Sequence, residues 1–513
     1  MSHLFRSSII IAIFFGMEKV LGFIRNILIA RVFNLSPELD IFNAANNIPD
    51  LLFALISGGA LAFAFIPVLS DTLEKQGRPE AWKLFSQIIN LVFIIAAVMS
   101  VIIAIFAEPL VRSQLGIAPG FDTAQQDVVI TLMRLNLFAT LLFALAGVVI
   151  SGLQANQHFI LPAMAPVMYD VGALLGVLVL APSESISFGP ITLPALGLGV
   201  YGLVYGTIFG AALFFLIQIP GLIHYQFRWT PKINLRDPGV RQVLVLMGPR
   251  LISVLSIHLV FITQDNLASR LVAGSVTALV YGWLFMQVPE SLVGTTIGTV
   301  LLPTLSEQAA RKDTVALERS INYALRVLLA LTLPLAVILI LGIHPLISIL
   351  GFDAAGTELV VWTVRAYMLG LVGHSLLEVA VRSFYAQKNA KTPMLTSLLM
   401  LVTFIAVSIP LSLWLGAPGI GLANSLVFTG QALLLLWLLH RSLPNILALR
   451  RPLLRSLLAA GVGGGMVLIG FALLPITTMA LIPSIVAMLA VLGVSSIAAL
   501  PIIWPEAKLL LNI

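Results

Sequence analysis

The sequence predicts an all-α polytopic membrane protein with about fourteen transmembrane helices, arranged as two pseudo-symmetric six-helix lobes plus two C-terminal helices. Three observations predict it. Hydrophobic residues fill 59% of 513 positions, and charged residues only 10%, against roughly 25% in a soluble domain whose surface faces water. Mean hydropathy is +1.06, so lipid must cover most of this surface. The apolar runs are also long and continuous, as in LVFIIAAVMSVIIAIFA (91–107), where a transmembrane β-barrel would alternate in polarity over ~10-residue segments.

A helix needs ~20 mostly apolar residues to cross the bilayer. With loops rich in Pro, Gly and charge as boundaries, the spans fall near 8–33, 38–70, 84–109, 125–152, 158–181, 194–222 and 241–270. They continue near 275–306, 319–343, 356–385, 392–415, 419–440, 453–475 and 481–504. Several exceed the bilayer thickness and must tilt, kink or project. His3 and Arg6 precede the first apolar stretch, but no small-residue cleavage site follows, so this stretch reads as the first span. Cysteine is absent, which removes disulfide and thiolate chemistry.

Lys and Arg set the orientation. With a cytoplasmic N-terminus and strict alternation, nineteen of the 28 basic residues fall in cytoplasmic loops or tails. Arg31, Arg112 and Arg270 alone fall outside, and Lys19, Arg25, Arg134, Arg250, Arg326 and Arg365 lie in or near spans. A wrong span count would scramble this asymmetry. Both termini are expected in the cytoplasm, with outer loops at 34–38, 112–122 and 182–193. The excess charge of +6 is therefore a topology signal and not a nucleic-acid footprint.

An internal repeat divides the chain. Ile48-Pro49-Asp50 is followed by Ile66-Pro67-Val68-Leu69-Ser70-Asp71 and a basic loop; Val288-Pro289-Glu290 is followed by Leu302-Pro303-Thr304-Leu305-Ser306-Glu307 and another. Leu153-Gln154-Ala155 before Pro162 is matched by Tyr385-Ala386-Gln387 before Pro393. Six spans per repeat give both halves one orientation, with a site expected between them. The expected parts are an N-lobe (1–222), a cytoplasmic linker (223–240), a C-lobe (241–440) and two additional spans (441–513). The linker reads as a topology-setting segment or as a basic patch for an acidic headgroup. The last two spans read as a lipid groove or as a packing appendage.

Ionisable residues inside spans are costly and mark cavities or partners. Glu18, Lys19 and Arg25 lie in the first span, with Glu18 and Arg25 two turns apart on nearly one face. The second span begins at Asp40 and carries Asn43, Asn46, Asn47 and Asp50 at i, i+3, i+4 and i+7, a polar stripe that lipid could not tolerate. Lys19 and Arg25 either pair with Glu18, Asp40 or Asp50 to hold helices together, or line a wet cavity and bind an anionic headgroup. Arg25 offers bidentate phosphate contact. Gln264, Asp265 and Asn266 form either a loop-proximal cap or a cation site. Gln287 and Glu290 flank Pro289, where a broken helix frees carbonyls. His374, Glu378 and Arg382 share a helix face, as an i,i+4 ion pair or as a proton relay.

No Walker-type loop, HExxH or Gly-x-Ser-x-Gly occurs, nor a large soluble domain. The chain therefore reads as a transporter and not an enzyme. No cofactor is expected, and any coupling must draw on the membrane potential or a monovalent cation gradient, with Asp265 and Glu378 as candidate ion ligands.

The segment VLGFIRNILIARVFNLSPELDIFNAANNIPDLLFALISGGALAFAFIPVLSD (20–71) resembles the opening of the MurJ/MviN lipid II flippases. So do GSVTALVYGWLFMQVPESLVGTTIGTVLLPTLSE (274–307) and YAQKNAKTPM (385–394), in order along the chain. The resemblance implies membership of the multidrug/oligosaccharidyl-lipid/polysaccharide exporter superfamily. It implies two six-helix lobes, two extra helices forming a hydrophobic groove, and outward movement of undecaprenyl-diphosphate-linked peptidoglycan precursor in the bacterial inner membrane by alternating access. The implied partners are a lipid-linked glycan, membrane lipids and cell-wall synthesis proteins. Carried over by position, the family's first-span arginines fall on Lys19 and Arg25, and the acid opening the second span on Asp40. A further family arginine falls on Phe53 and an acid on Gly58; the Asp and Arg of the family's Tyr-Ala-Asp-Arg-Leu fall on Trp283 and Leu284, and a nearby glutamate on Gln287. The expected substrate-binding set is Lys19, Arg25, Asp40, Asn43, Asn47, Asp50, Gln287 and Arg250, with Arg250 as a replacement cation. The missing arginines leave open another polyprenyl-linked saccharide or an amphipathic molecule as substrate, or a transport-inactive scaffold. A polyprenyl-phosphate glycosyltransferase would need catalytic acids near a large outer loop, and the outer loops here are short.

Overall fold

A computed structural model describes residues 3–56, 59–188, 191–474, 479 and 481–509. Two compact units divide the chain at Arg270 and Leu271. The first contains α1 (His3–Phe33), α2 (Pro37–Ile56), α3 (Gly59–Gln76), α4 (Arg78–Ile105), α5 (Ala107–Arg112), α6 (Thr123–Ala155), α7 (Ile160–Leu175), α8 (Val200–Leu216), α9 (Ile219–His224) and α10 (Pro238–Ala268). The second contains α11 (Ser275–Glu290), α12 (Thr296–Ala310), α13 (Thr314–Ser348), α14 (Ala354–Met368), α15 (Leu371–Ala386), α16 (Lys391–Leu415), α17 (Ala417–Ser442), α18 (Arg450–Leu473) and α19 (Leu481–Ala507).

Among the described residues, eleven helical stretches are long and apolar enough to cross a membrane, and α14 with α15, bent by 40°, makes a twelfth. The charged α1 and the acid- and amide-rich α2 and α3 fall on the first two predicted spans. The chain is an all-α, multi-span membrane protein. One departure from pure helix is a hairpin in the predicted 182–193 loop, where β1 (Ile186–Phe188) pairs antiparallel with β2 (Ile191–Leu193).

Helix ends sit where the sequence supplies caps. Asp122 caps α6 in a reciprocal capping box with Gln125. Asp237, Asp313 and Asp353 accept first-turn N–H bonds at α10, α13 and α14. Two spans contain a π-helical turn, at Gly176–Leu180 after α7 and at Ser291–Thr295 between α11 and α12. The second follows Pro289, whose missing N–H disrupts the regular ladder.

The repeat predicts α10 in the second lobe, whereas the compact units place it in the first. Residues 225–237 explain the difference, because they lie along α4 as a docked strap. Phe227 packs on Trp82 and Phe85 at 5.4 and 4.9 Å between centroids. Trp82 Nε1 donates to the Tyr225 carbonyl at 3.1 Å, and Asn90 Nδ2 to that of Thr230 at 2.7 Å. Gln87 reaches Asp237, the α10 cap, at 3.3 Å. At the other end of α10, Asn266 Nδ2 donates to the carbonyls of Gln114 and Gly116 at 2.9 and 2.6 Å.

α7 and α8 approach closely because both present glycine at one interface, the small-residue packing that lets membrane helices touch backbone to backbone. A Cβ on Gly172 would meet the Gly210 Cα at 2.3 Å, and one on Gly206 would meet the Gly176 Cα at 2.5 Å. Gly172→Val is therefore expected to cut folded abundance several-fold, since overpacking costs about 1–3 kcal/mol even where neighbours can yield, and backbone cannot yield as a side chain does. Gly16→Ala, with nothing within 4 Å, is the control. Equal size-exclusion peaks for the two variants would contradict this packing.

In the second unit, α18 and α19 pack on α13 through Ile338, Val467, Met488 and Val491, and through Ala330, Ala459, Ala499 and Ile503. At one end of this seam Glu506 is fully buried between two arginines. Arg326 Nε donates to its Oε2 at 2.9 Å, and Arg455 Nη1 to its Oε1 at 2.9 Å. The last two helices are thus locked to α13 by charge as well as by apolar packing.

Candidate functional site

In the first unit the central feature is Arg25. Its Nη1 lies 2.6 Å from Asp170 Oδ1 on α7, with 21% and 3% of the two side chains exposed. The guanidinium also sits over the Tyr169 ring, 5.3 Å from its centroid, within the ~6 Å range of a cation–π contact. Tyr169 in turn packs edge-on to Phe143 at 5.4 Å, and Phe143 tilts against Phe53 at 5.6 Å. Phe53 is the position where the family resemblance implies an arginine. Here an aromatic column from α2 through α6 to α7 supports the remaining arginine from behind.

The carboxylate that holds Arg25 is Asp170, and not Glu18, Asp40 or Asp50. Asp170 is the sole acid in the fifth predicted span, which was the available signal for it; a partner 145 residues away has no sequence register with Arg25. Lys19 stays with its neighbour Glu18 at 3.2 Å, its side chain 78% exposed. Asp40 is buried near the start of α2.

The polar stripe of α2 is real but divided between two neighbours. Asn136 Nδ2 on α6 donates to Asn46 Oδ1 at 2.5 Å, and Thr140 Oγ1 donates to the Pro49 carbonyl at 3.4 Å. Asn47 Nδ2 donates to Asp265 Oδ2 on α10 at 2.8 Å. Asn43 is half-buried and Asp50 exposed on the same helix. The stripe therefore bridges α6 and α10 with amide groups, and leaves a carboxylate accessible one turn further on. The trio at 264–266 is also divided, with Asp265 accepting from Asn47 and Asn266 tied to the 113–122 loop. The side chain of Arg250 and residue Gly58 lie outside the described residues.

In the second unit, Trp283 and Leu284 occupy positions where the family resemblance implies Asp and Arg. Trp283 packs edge-on to Tyr367 and His374 at 6.1 and 5.6 Å. His374 stacks on Phe428 at 4.4 Å, and its Nε2 lies 3.0 Å from Asn424 Oδ1. The His374 ring is thus engaged by aromatic groups and Asn424. Glu378 pairs instead with Arg382 one turn on, as the i,i+4 reading expects. Arg382 Nη2 also donates to Thr299 Oγ1 at 3.2 Å. Gln287 is exposed, while Glu290 is half-buried and accepts from Thr295 at 3.2 Å.

Apolar helical spans that carry arginine–carboxylate pairs inside both units fit the class of polytopic membrane transporters. The family model for the lipid II flippase MurJ matches residues 29–498. A lipid II flippase MurJ from Burkholderia cenocepacia is 32% identical over 402 residues, covering 76% of this chain and 75% of that protein. The chain belongs to the MurJ lipid II flippase family. A probable lipid II flippase MurJ from Vibrio cholerae is 26% identical over 446 residues, covering 84% and 82%. In fold, the chain is similar to a lipid II flippase MurJ in an inward closed conformation (TM-score 0.72, 22% identity, 95% of this chain and 98% of that chain). It is also similar to an inward-facing multidrug resistance MATE family transporter of the MOP superfamily (TM-score 0.68, 15% identity, 83% and 94%).

Proposed function

We propose that this chain flips lipid II, the undecaprenyl-diphosphate-linked peptidoglycan precursor, from the inner to the outer leaflet of the bacterial inner membrane by alternating access. The observation that carries this reading is relatedness to lipid II flippases over most of the chain's length. Arg25 suits the reading chemically, because a guanidinium in a low-dielectric site offers two parallel donors to a diphosphate. Lys19, Asp40, Asn43, Asn47, Asp50, Gln287 and Arg250 complete the proposed binding set. The driving force in this reading is the membrane potential or a monovalent cation gradient, and cell-wall synthesis proteins are the expected partners. Complementation decides it: the chain should sustain growth of a strain depleted of its own lipid II flippase. Failure with normal membrane abundance would reject lipid II as substrate.

One set of observations favours a second substrate. Phe53, Leu284 and Gln287 stand where the resemblance implies charge, and Phe53 is built into an aromatic column. Another polyprenyl-linked saccharide fits the same fold. A transport assay with lipid II and with a polyprenyl-diphosphate carrying an unrelated glycan separates the two.

Both termini lie in the cytoplasm in this reading. Single cysteines at Gln76 and Lys312 should be shielded from an impermeant thiol reagent in intact cells, and those at Leu115 and Glu184 should label. Leu115 is 89% exposed, whereas a Cβ on neighbouring Gly116 would meet the Leu110 carbonyl oxygen at 2.6 Å, so Leu115 is the site to use. The reverse labelling pattern would overturn the orientation.

A further inference from the structure

We propose that Arg382 is the diphosphate-recognising group of the second unit, held in reserve by Glu378 and released when a substrate phosphate takes the place of that carboxylate. The proposal rests on the lipid II reading above and names a residue that the family resemblance does not supply.

Three observations carry it. First, the α11–α12 span and the end of α15 nearest the basic 387–391 loop present a polar, accessible face. Gln287, Thr296 and Thr299 are exposed, and Glu290, Thr295, Glu378 and Arg382 are half-buried. Acyl chains solvate its charged groups poorly, so this face suits a polar ligand. Second, Leu284 and Gln287, where the resemblance implies an arginine and a glutamate, lie on α11. The guanidinium that faces this segment stands on the neighbouring helix, α15. Third, the structure makes room for a guanidinium there. A Cβ on Gly298 would meet Arg382 Nη1 at 2.7 Å, so a side chain at 298 would push the arginine off α12. With glycine, Nη1 faces Glu378 while Nη2 reaches Thr299.

Exchange of partners explains why a reserved arginine suits transport. A guanidinium left unpaired in this setting would cost several kcal/mol. Trading the carboxylate for a phosphate keeps the guanidinium paired with an anion in both states. Binding is then reversible, since Glu378 remains one helical turn away to reclaim the arginine on release. The first unit contains the same device, Arg25 held by Asp170.

The test measures binding to the purified full chain in nanodiscs, with lipid II, undecaprenyl diphosphate and undecaprenol as probes. Arg382→Ala should weaken both diphosphates by about tenfold to a hundredfold, from loss of charged hydrogen bonds, and leave undecaprenol unchanged. Glu378→Gln should tighten diphosphate binding and slow flipping, because the competitor for the arginine is gone. Arg382→Ala alone strands a carboxylate, so Arg382→Ala with Glu378→Gln is the folded-state control; it should bind as weakly as the single arginine variant. Diphosphate affinity in that double variant equal to Glu378→Gln would overturn the proposal and leave Glu378–Arg382 as a helix-bracing pair. Arg382-dependent binding of undecaprenyl diphosphate without binding of lipid II would uphold the proposal and reject the substrate reading. Binding of neither diphosphate by the wild-type chain would reject both.

Discussion

Arg25→Ala is expected to do two separable things: lower the amount of folded protein, and abolish flipping by what remains. The first follows from Asp170, whose side chain is 3% exposed and whose ion-pair partner disappears. Removing one member of a buried pair costs about 3–5 kcal/mol, enough to deplete a marginally stable chain. Replacing Asp170 as well, as Arg25→Ala with Asp170→Asn, removes the stranded charge and should restore abundance. It should not restore flipping, because no bidentate donor remains to meet a diphosphate. Arg25→Lys should keep the fold and lose much of the transport, since a point charge replaces the fork and the stacking on Tyr169 weakens. Lys19→Arg, at a side chain 78% exposed, should change neither quantity. Flipping per folded molecule, read in all four variants, is the deciding measurement. Recovery of transport in the Arg25, Asp170 double variant would assign Arg25 a purely structural role.

The second large effect is expected at Glu506. This carboxylate is fully buried at the end of α19 and satisfies Arg326 on α13 and Arg455 on α18 together. Glu506→Ala leaves two arginines sharing a seam with no counter-charge, at a cost of about 3–5 kcal/mol. The rest of that seam is apolar and small-residue packing, so the loss should fall on α18 and α19 and spare α11–α12. Hydrogen exchange of the detergent-solubilised protein should show faster exchange in the last two helices alone. Arg326→Met with Arg455→Met in the Glu506→Leu background should restore protection, because an apolar replacement of a buried ion cluster is often neutral. Uniform acceleration over the whole chain would instead mean that the last helices are integral to the second unit's folding.

The sequence determined the class and the polar stripe of α2. Low charge and long apolar runs admit one solution in a bilayer, the helix, because every backbone polar group must be satisfied within its own segment. Local spacing was equally legible: Glu378 and Arg382 at i,i+4 pair as expected, and Pro289 marks the place where a π turn interrupts the span. What the sequence could not determine was which distant groups meet. Asp170 lies 145 residues from Arg25, and Glu506 lies 180 from Arg326, and helical periodicity gives a face without naming the helix that face will meet. The strap at 225–237 read as a linker because its composition is polar; its aromatic docking on α4 places α10 with the first unit. Burial of Phe227 against Trp82 and Phe85 is a tertiary event, and local composition carries no record of it. The tertiary structure alone decided the distant pairings, Arg25 with Asp170 and Arg326 with Glu506, since the cost of an unpaired charge is met by the carboxylate that packing brings within reach.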